Sequence, residues 1–139
     1  MTLARLALLA VAGGLAGWAL ENLWARARGE PPRYSHMLGK ERELPWLPVY
    51  AAGAVAVAVL APRLGKLPAP LRAAVYAGAL SGLELGACTL DRSAGSASWR
   101  YGGAPPASPE LGGCVDVPHA IAWGALGLLA ESVPGVDRA

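Results

Sequence analysis

The stretch "GALSGLELGACTLDRS", residues 78–93, places a carboxylate, Glu84, inside an otherwise apolar run. Cys88 and Asp91 follow at spacings that keep all three on one helical face. An acidic residue at the centre of a membrane helix costs about 2.5–3.5 kcal/mol on insertion. Such a group normally faces a bundle interior or a watery cavity, where it serves an ion, a proton or a ligand. Glu21 is a second acid near the end of an apolar run, and Gly14, Gly17 and Trp24 share its face. Asp116, His119 and Trp123 line one face at the start of the last apolar run. If Glu21, Glu84 and His119 converge, they make an acidic pocket that also contains a base. That set could relay protons, hold a cation or act as an acid–base pair. A plainer reading stays open beside it. Glu84 could accept hydrogen bonds from Trp99 or Tyr101 and lock a loop onto the bundle, while His119 caps a helix end.

Other chemistries lack the residues they need. The two cysteines, Cys88 and Cys114, form no C-x-x-C spacing, and Glu, His, Asp and Cys are not set at ligand spacing, so no metal is expected. No cofactor is expected, and with no phosphate loop the chain cannot hydrolyse ATP by itself. A net charge of +2 is too small to suggest a nucleic-acid partner. A bridge between Cys88 and Cys114 requires Cα atoms within about 7 Å and an oxidising compartment. Buried free thiols are the other reading.

Four apolar spans must position these groups: about 3–24, 46–61, 71–90 and 115–133, all within one transmembrane domain, 1–139. With 54% apolar and 16% charged residues, the chain is unlike an ordinary soluble globule. The runs are continuous rather than alternating, which predicts helices. The expected fold is all-α, an integral membrane four-helix bundle. The opening "MTLARLALLAVAGGLAGWAL" has the short charged start of a signal peptide, but is read as the first membrane helix. The second span is short for a crossing and must extend into its flanks or thin the bilayer. "GLAGWALEN" in span one and "GALSGLELG" in span three suggest a faint repeat, as do "PVYAAGAVAVAVLA" in span two and "PHAIAWGALGLLA" in span four. Read this way, two helical hairpins form a parallel repeat.

The connections 25–45 and 91–114 are long, and the turn "PRLGKLPAP" is short. Four spans put both long connections on one side, with the termini and the short turn on the other. Arg5, Arg63, Lys66, Arg72 and Arg138 on the terminal side sit in fewer residues and closer to helix ends than the cations opposite. Cations near helix ends weigh most in orientation, so the termini are expected in the cytoplasm. The expected location is a bacterial inner (plasma) membrane. Gly13 and Gly17, and Gly78, Gly82 and Gly86, are spaced to let helix backbones approach closely. They could pack the bundle itself or form the seam of a homo-oligomer. Trp18, Trp24, Trp46, Tyr50, Trp99 and Tyr101 gather toward the long connections, as an interfacial belt or as the mouth of a site for an apolar or cationic ligand.

In order along the chain come "GWALEN", "LPVYAAG", "PLRAAVYAGALSGLELGACTLDRSAGSASWRYGG" and "GGCVDVPHAIAWGALGLLAE". This order resembles the small four-span family catalogued under ABC-transporter type IV, which includes transmembrane protein 229. The matching residues are Gly17, Glu21, Tyr50, Gly53, Glu84, Trp99, Tyr101, Gly113 and Trp123. The family usually carries Asp or Asn between the Trp and the Tyr, where this sequence has Arg100. The resemblance implies a four-span membrane fold and directs attention to Glu21, Glu84 and the Trp-x-Tyr loop.

Three functions compete. The first is a transport or ligand-binding component with an acidic intramembrane pocket, lined by Glu21, Glu84, Trp99, Tyr101, His119 and Trp123, for a cation, proton or small amphipath. The second is a membrane-embedded enzyme using Glu84, Glu21 and His119 on a lipid-like substrate. The third is a structural subunit of a membrane complex. The bilayer is a partner in all three.

Overall fold

The computed structural model describes residues 2–27, 35–36, 43–44, 47–95, 113–115 and 117–133. The chain is a helical bundle: α1 is Leu3–Ala27, α2 Leu47–Leu64, α3 Ala69–Ser93 and α4 Val117–Ala130. Between α1 and α2, a two-residue strand β1 (Ser35–His36) pairs antiparallel with β2 (Glu43–Leu44). No span is a strand.

Punctuation in the sequence sets the helix limits. Pro48 lies in the first turn of α2, and Pro68 and Pro70 flank the start of α3. There the missing N–H would have had no helical partner. Pro62 falls in the last turn of α2, so the helix runs past it and ends at Leu64. The α2–α3 turn is closed by Leu67 N–H donating to the Leu64 carbonyl at 2.8 Å. α3 ends where Gly95 takes a positive φ of 82°, with its N–H on the Arg92 carbonyl at 3.0 Å.

Helices α1, α2 and α3 are long and apolar enough to cross a membrane. α4 spans only 14 residues, about 21 Å, and is shorter than the run 115–133 suggests. Pro118 fixes its start, and a turn at Glu131–Val133 follows its end. Large apolar side chains lie on the outer surface. Leu8 is 68% and Leu23 65% exposed on α1, and Ile121 is 68% and Leu129 65% exposed on α4. A soluble monomer rarely shows so much contiguous apolar surface; in a bilayer it faces lipid. The chain is an integral membrane protein.

Two antiparallel hairpins, α1–α2 and α3–α4, form the bundle, joined mainly where α2 meets α3. Small residues set the close approach within each. A Cβ on Gly13 would strike the Ala54 side chain, and one on Gly17 would strike the Tyr50 ring. On α4, a Cβ on Gly124 would lie 2.8 Å from the Ala73 carbonyl oxygen, and one on Gly127 would strike the Tyr76 ring. The hairpins meet through Val57, Tyr76 and Leu80, and Gly53 sits against Leu80. Gly78, Gly82 and Gly86 behave differently, since a Cβ at any of them meets nothing within 4 Å. They pack no helix among the described residues.

Candidate functional site

The buried face of α3 runs Tyr76, Leu80, Glu84, Cys88, Asp91, a helical repeat of three and four residues. Glu84 is 2% exposed and lies past the middle of this membrane-spanning helix, and Asp91 is also 2% exposed. The inward direction expected from the cost of a carboxylate in lipid is therefore what the helix adopts. Cys88 is bonded to Cys114, with Sγ–Sγ 1.99 Å and Cα–Cα 5.8 Å. This bridge ties the end of α3 to the segment entering α4. Both cysteines are fully buried.

Tyr50 connects the elements around that bridge. Its hydroxyl donates to Glu21 Oε2 at 2.7 Å, joining α2 to α1. Its ring lies 5.9 Å from that of Trp123 on α4, tilted by 50°. The same side chain packs against Cys88 and Cys114. Glu21 is half-buried, as are His119 and Trp123, which are one turn apart on α4. Tyr50 thus links Glu21 to Trp123 and to the cysteine pair, one turn from Glu84. Trp99, Tyr101 and Asp116 lie outside the described residues.

Two indole N–H groups, of Trp18 and Trp123, are buried without a hydrogen-bond partner among the described residues, and so is the Ser81 hydroxyl. Buried donors are usually hydrogen-bonded to protein or ordered water, so each of these calls for a partner. Among the described residues, no group of His, Cys, Asp and Glu is arranged to hold a metal ion.

A second polar cluster, which reading the spans for isolated acids did not find, occupies the opposite end of the bundle. Arg72 in the first turn of α3 grips Glu131, with Nη2 to Oε1 at 2.9 Å and Nε within 3.2 Å of both carboxylate oxygens. Tyr76 donates to Glu131 Oε2 at 2.9 Å. Arg72 also donates to the Leu67 carbonyl, fastening the α2–α3 turn. Glu131 is 3% exposed. The signal was present in the sequence: Gly127 precedes Glu131 by four residues, as Gly17 precedes Glu21. The chain matches no family model, no curated protein and no solved structure in the comparisons made with them.

Proposed function

We propose that the protein is a membrane transport or ligand-binding component, with Glu84 as the acid of an intramembrane site for a cation, a proton or a small amphipath. One observation carries this reading: a carboxylate 2% exposed past the middle of a membrane-spanning helix. Intramembrane acids are costly to insert and are kept for ion, proton or ligand traffic. Glu21, His119, Trp123 and the Trp99–Tyr101 loop are the proposed lining. The indole N–H of Trp123, which has no acceptor among the described residues, supports it.

The proposed location is the inner membrane of a bacterium, with the termini cytoplasmic. The Cys88–Cys114 bridge supports this orientation, because it lies at the long-connection side and disulfides persist in oxidising compartments. The cations flanking the short turn agree. Membership of the four-span ABC-transporter type IV family is proposed on Gly17, Glu21, Tyr50, Gly53, Glu84, Trp99, Tyr101, Gly113 and Trp123. The open face at Gly78, Gly82 and Gly86 suits a second copy of the chain, since small residues permit close helix contact in lipid.

Equilibrium binding of sodium ion and of tetraphenylphosphonium to the protein in lipid nanodiscs tests the reading. Saturable binding of either by wild type, lost in Glu84→Gln, is the expected result. Equal binding by both proteins, or none by wild type, overturns it.

A further inference from the structure

The two hairpins share a set of contacts, although the Arg72–Glu131 pair belongs to the second alone. In the first, Gly14 lies under the Leu47 carbonyl and the Ala51 methyl, Gly17 lies under the Tyr50 ring, and Tyr50 donates to Glu21. In the second, Gly124 lies under the Ala73 carbonyl and the Ala77 methyl, Gly127 lies under the Tyr76 ring, and Tyr76 donates to Glu131. A shift of 26 residues carries Leu47, Tyr50 and Ala51 onto Ala73, Tyr76 and Ala77. A shift of 110 carries Gly14, Gly17 and Glu21 onto Gly124, Gly127 and Glu131. The local sequences agree too: "GLAGWALEN" against "GALGLLAES", and "VYA" in both α2 and α3. The correspondence is therefore α1 with α4 and α2 with α3, rather than the parallel one of span one with three and two with four.

The two copies sit at opposite ends of the bundle. Glu21 and Tyr50 lie where the long connections leave, whereas Glu131 and Tyr76 lie at the short turn. The modules are inverted with respect to the membrane, and their helices follow in opposite order along the chain: the glycine-bearing helix comes first in one and second in the other.

The repeat provides an internal control for every residue in it. Glu21 and Glu131 are equivalent, and each accepts its partner helix's tyrosine. Glu84 is equivalent to Ala58, which is buried to 1% and carries no polar side chain. The module thus packs at this position without an acid. Other departures from the repeat fall on the α3 face that bears Glu84 and on the first half of α4, and Arg72 stands against Trp46 at the other end. Cys88 stands against Pro62, Asp91 against Gly65, His119 against Leu9 and Trp123 against Gly13.

We propose that three of the chain's acids divide into two classes: Glu21 and Glu131 are lock acids that position the helices of each inverted module, and Glu84 is the ligand acid added to one copy. This rests on the functional reading above and removes Glu21 from the ligand set in favour of a positioning role through Tyr50. The locks make each hairpin a firm unit, while the hairpins join each other through apolar surface at Val57, Tyr76 and Leu80.

One substitution made at three positions tests the division. Glu21→Gln, Glu84→Gln and Glu131→Gln are purified in nanodiscs, and the midpoint of thermal unfolding is read with and without sodium ion or tetraphenylphosphonium. Glu21→Gln and Glu131→Gln should each lower the ligand-free midpoint by about 3 °C or more, and Glu131→Gln should keep the ligand-dependent rise. Glu84→Gln should hold the ligand-free midpoint within about 2 °C of wild type and lose the rise. A fall for Glu84→Gln matching that of Glu131→Gln overturns the division, even where wild type binds ligand. Unchanged midpoints for both lock variants also overturn it. A ligand-dependent rise that persists in Glu84→Gln overturns the functional reading, with the division judged separately on the ligand-free midpoints.

Discussion

Tyr76 and Glu131 meet across the α3–α4 pair at 2.9 Å, and the carboxylate that accepts this bond is gripped at the same time by Arg72. A buried acid with one neutral donor and one cation is well satisfied, but losing the cation strands it. Arg72→Met should therefore destabilise the protein by about 3 kcal/mol. Pairing it with Glu131→Leu should recover most of that loss. Unfolding of the single and double variants in detergent checks this.

Tyr50→Phe removes the donor to Glu21 but leaves the ring against Gly17, Trp123 and the cysteine pair. Hydrogen bonds between membrane helices are worth about 0.6 kcal/mol on average and about 1.7 at most. A loss in that range is expected. Tyr50→Ala should cost more, about 3 kcal/mol, because an aromatic packed on three elements is removed. Near-equal losses for the two variants would show that the ring contributes little.

Glycines at the two kinds of position should respond oppositely. Gly17→Ala and Gly127→Ala drive a methyl into a tyrosine ring and should each cost about 1–3 kcal/mol. Gly82→Ala meets open space and should leave the monomer's stability unchanged or raise it slightly. If a second copy packs on this face, Gly82→Leu should shift the oligomer distribution, read by mass photometry or crosslinking in native membranes. An unchanged distribution would remove the proposed seam.

The Cys88–Cys114 bridge closes a segment with a sequence separation of 26 residues. Closing a loop of that size is worth about 3 kcal/mol in the chain-entropy view. Cys88→Ser with Cys114→Ser should lose up to that amount. In protein taken from its own membrane, alkylation should reach the thiols only after reduction and unfolding. Free thiols in the unreduced protein would contradict both the bridge and the orientation that it supports.

Much of the fold was legible in the sequence because apolar runs broken by proline and glycine admit few alternatives in a bilayer. Pro70 marked the start of α3, and the cost of a carboxylate facing lipid predicted the inward direction of Glu84. Other features were not legible. The face on which Gly78, Gly82 and Gly86 lie could not be known, since small-residue spacing is the same for a bundle seam and an open surface. The Gly127–Glu131 spacing marks the acid, but its partner Arg72 lies 59 residues away across the antiparallel packing of α3 and α4, which no local pattern encodes. The strings alone pair α1 with α3, whereas the proposed inverted repeat pairs α1 with α4. Glycines before a glutamate are common to α1 and α3, and the glycine–tyrosine contacts that pair α1 with α4 depend on packing that no string encodes. Trp99 and Tyr101 lie outside the described residues, so the loop proposed to cover Glu84 rests on sequence.

The central claim is that the Glu84 carboxyl sits in an apolar, ligand-accessible site within the membrane. Reaction with a hydrophobic carbodiimide in native membranes, mapped by mass spectrometry, tests this most directly, because the reagent reaches acids from the lipid phase. The account predicts attachment at Glu84, slowed by excess sodium ion or tetraphenylphosphonium, and little attachment at Glu131, which is held by Arg72 and Tyr76. Attachment at Glu131 in preference to Glu84, or a rate at Glu84 that neither ion changes, would contradict it.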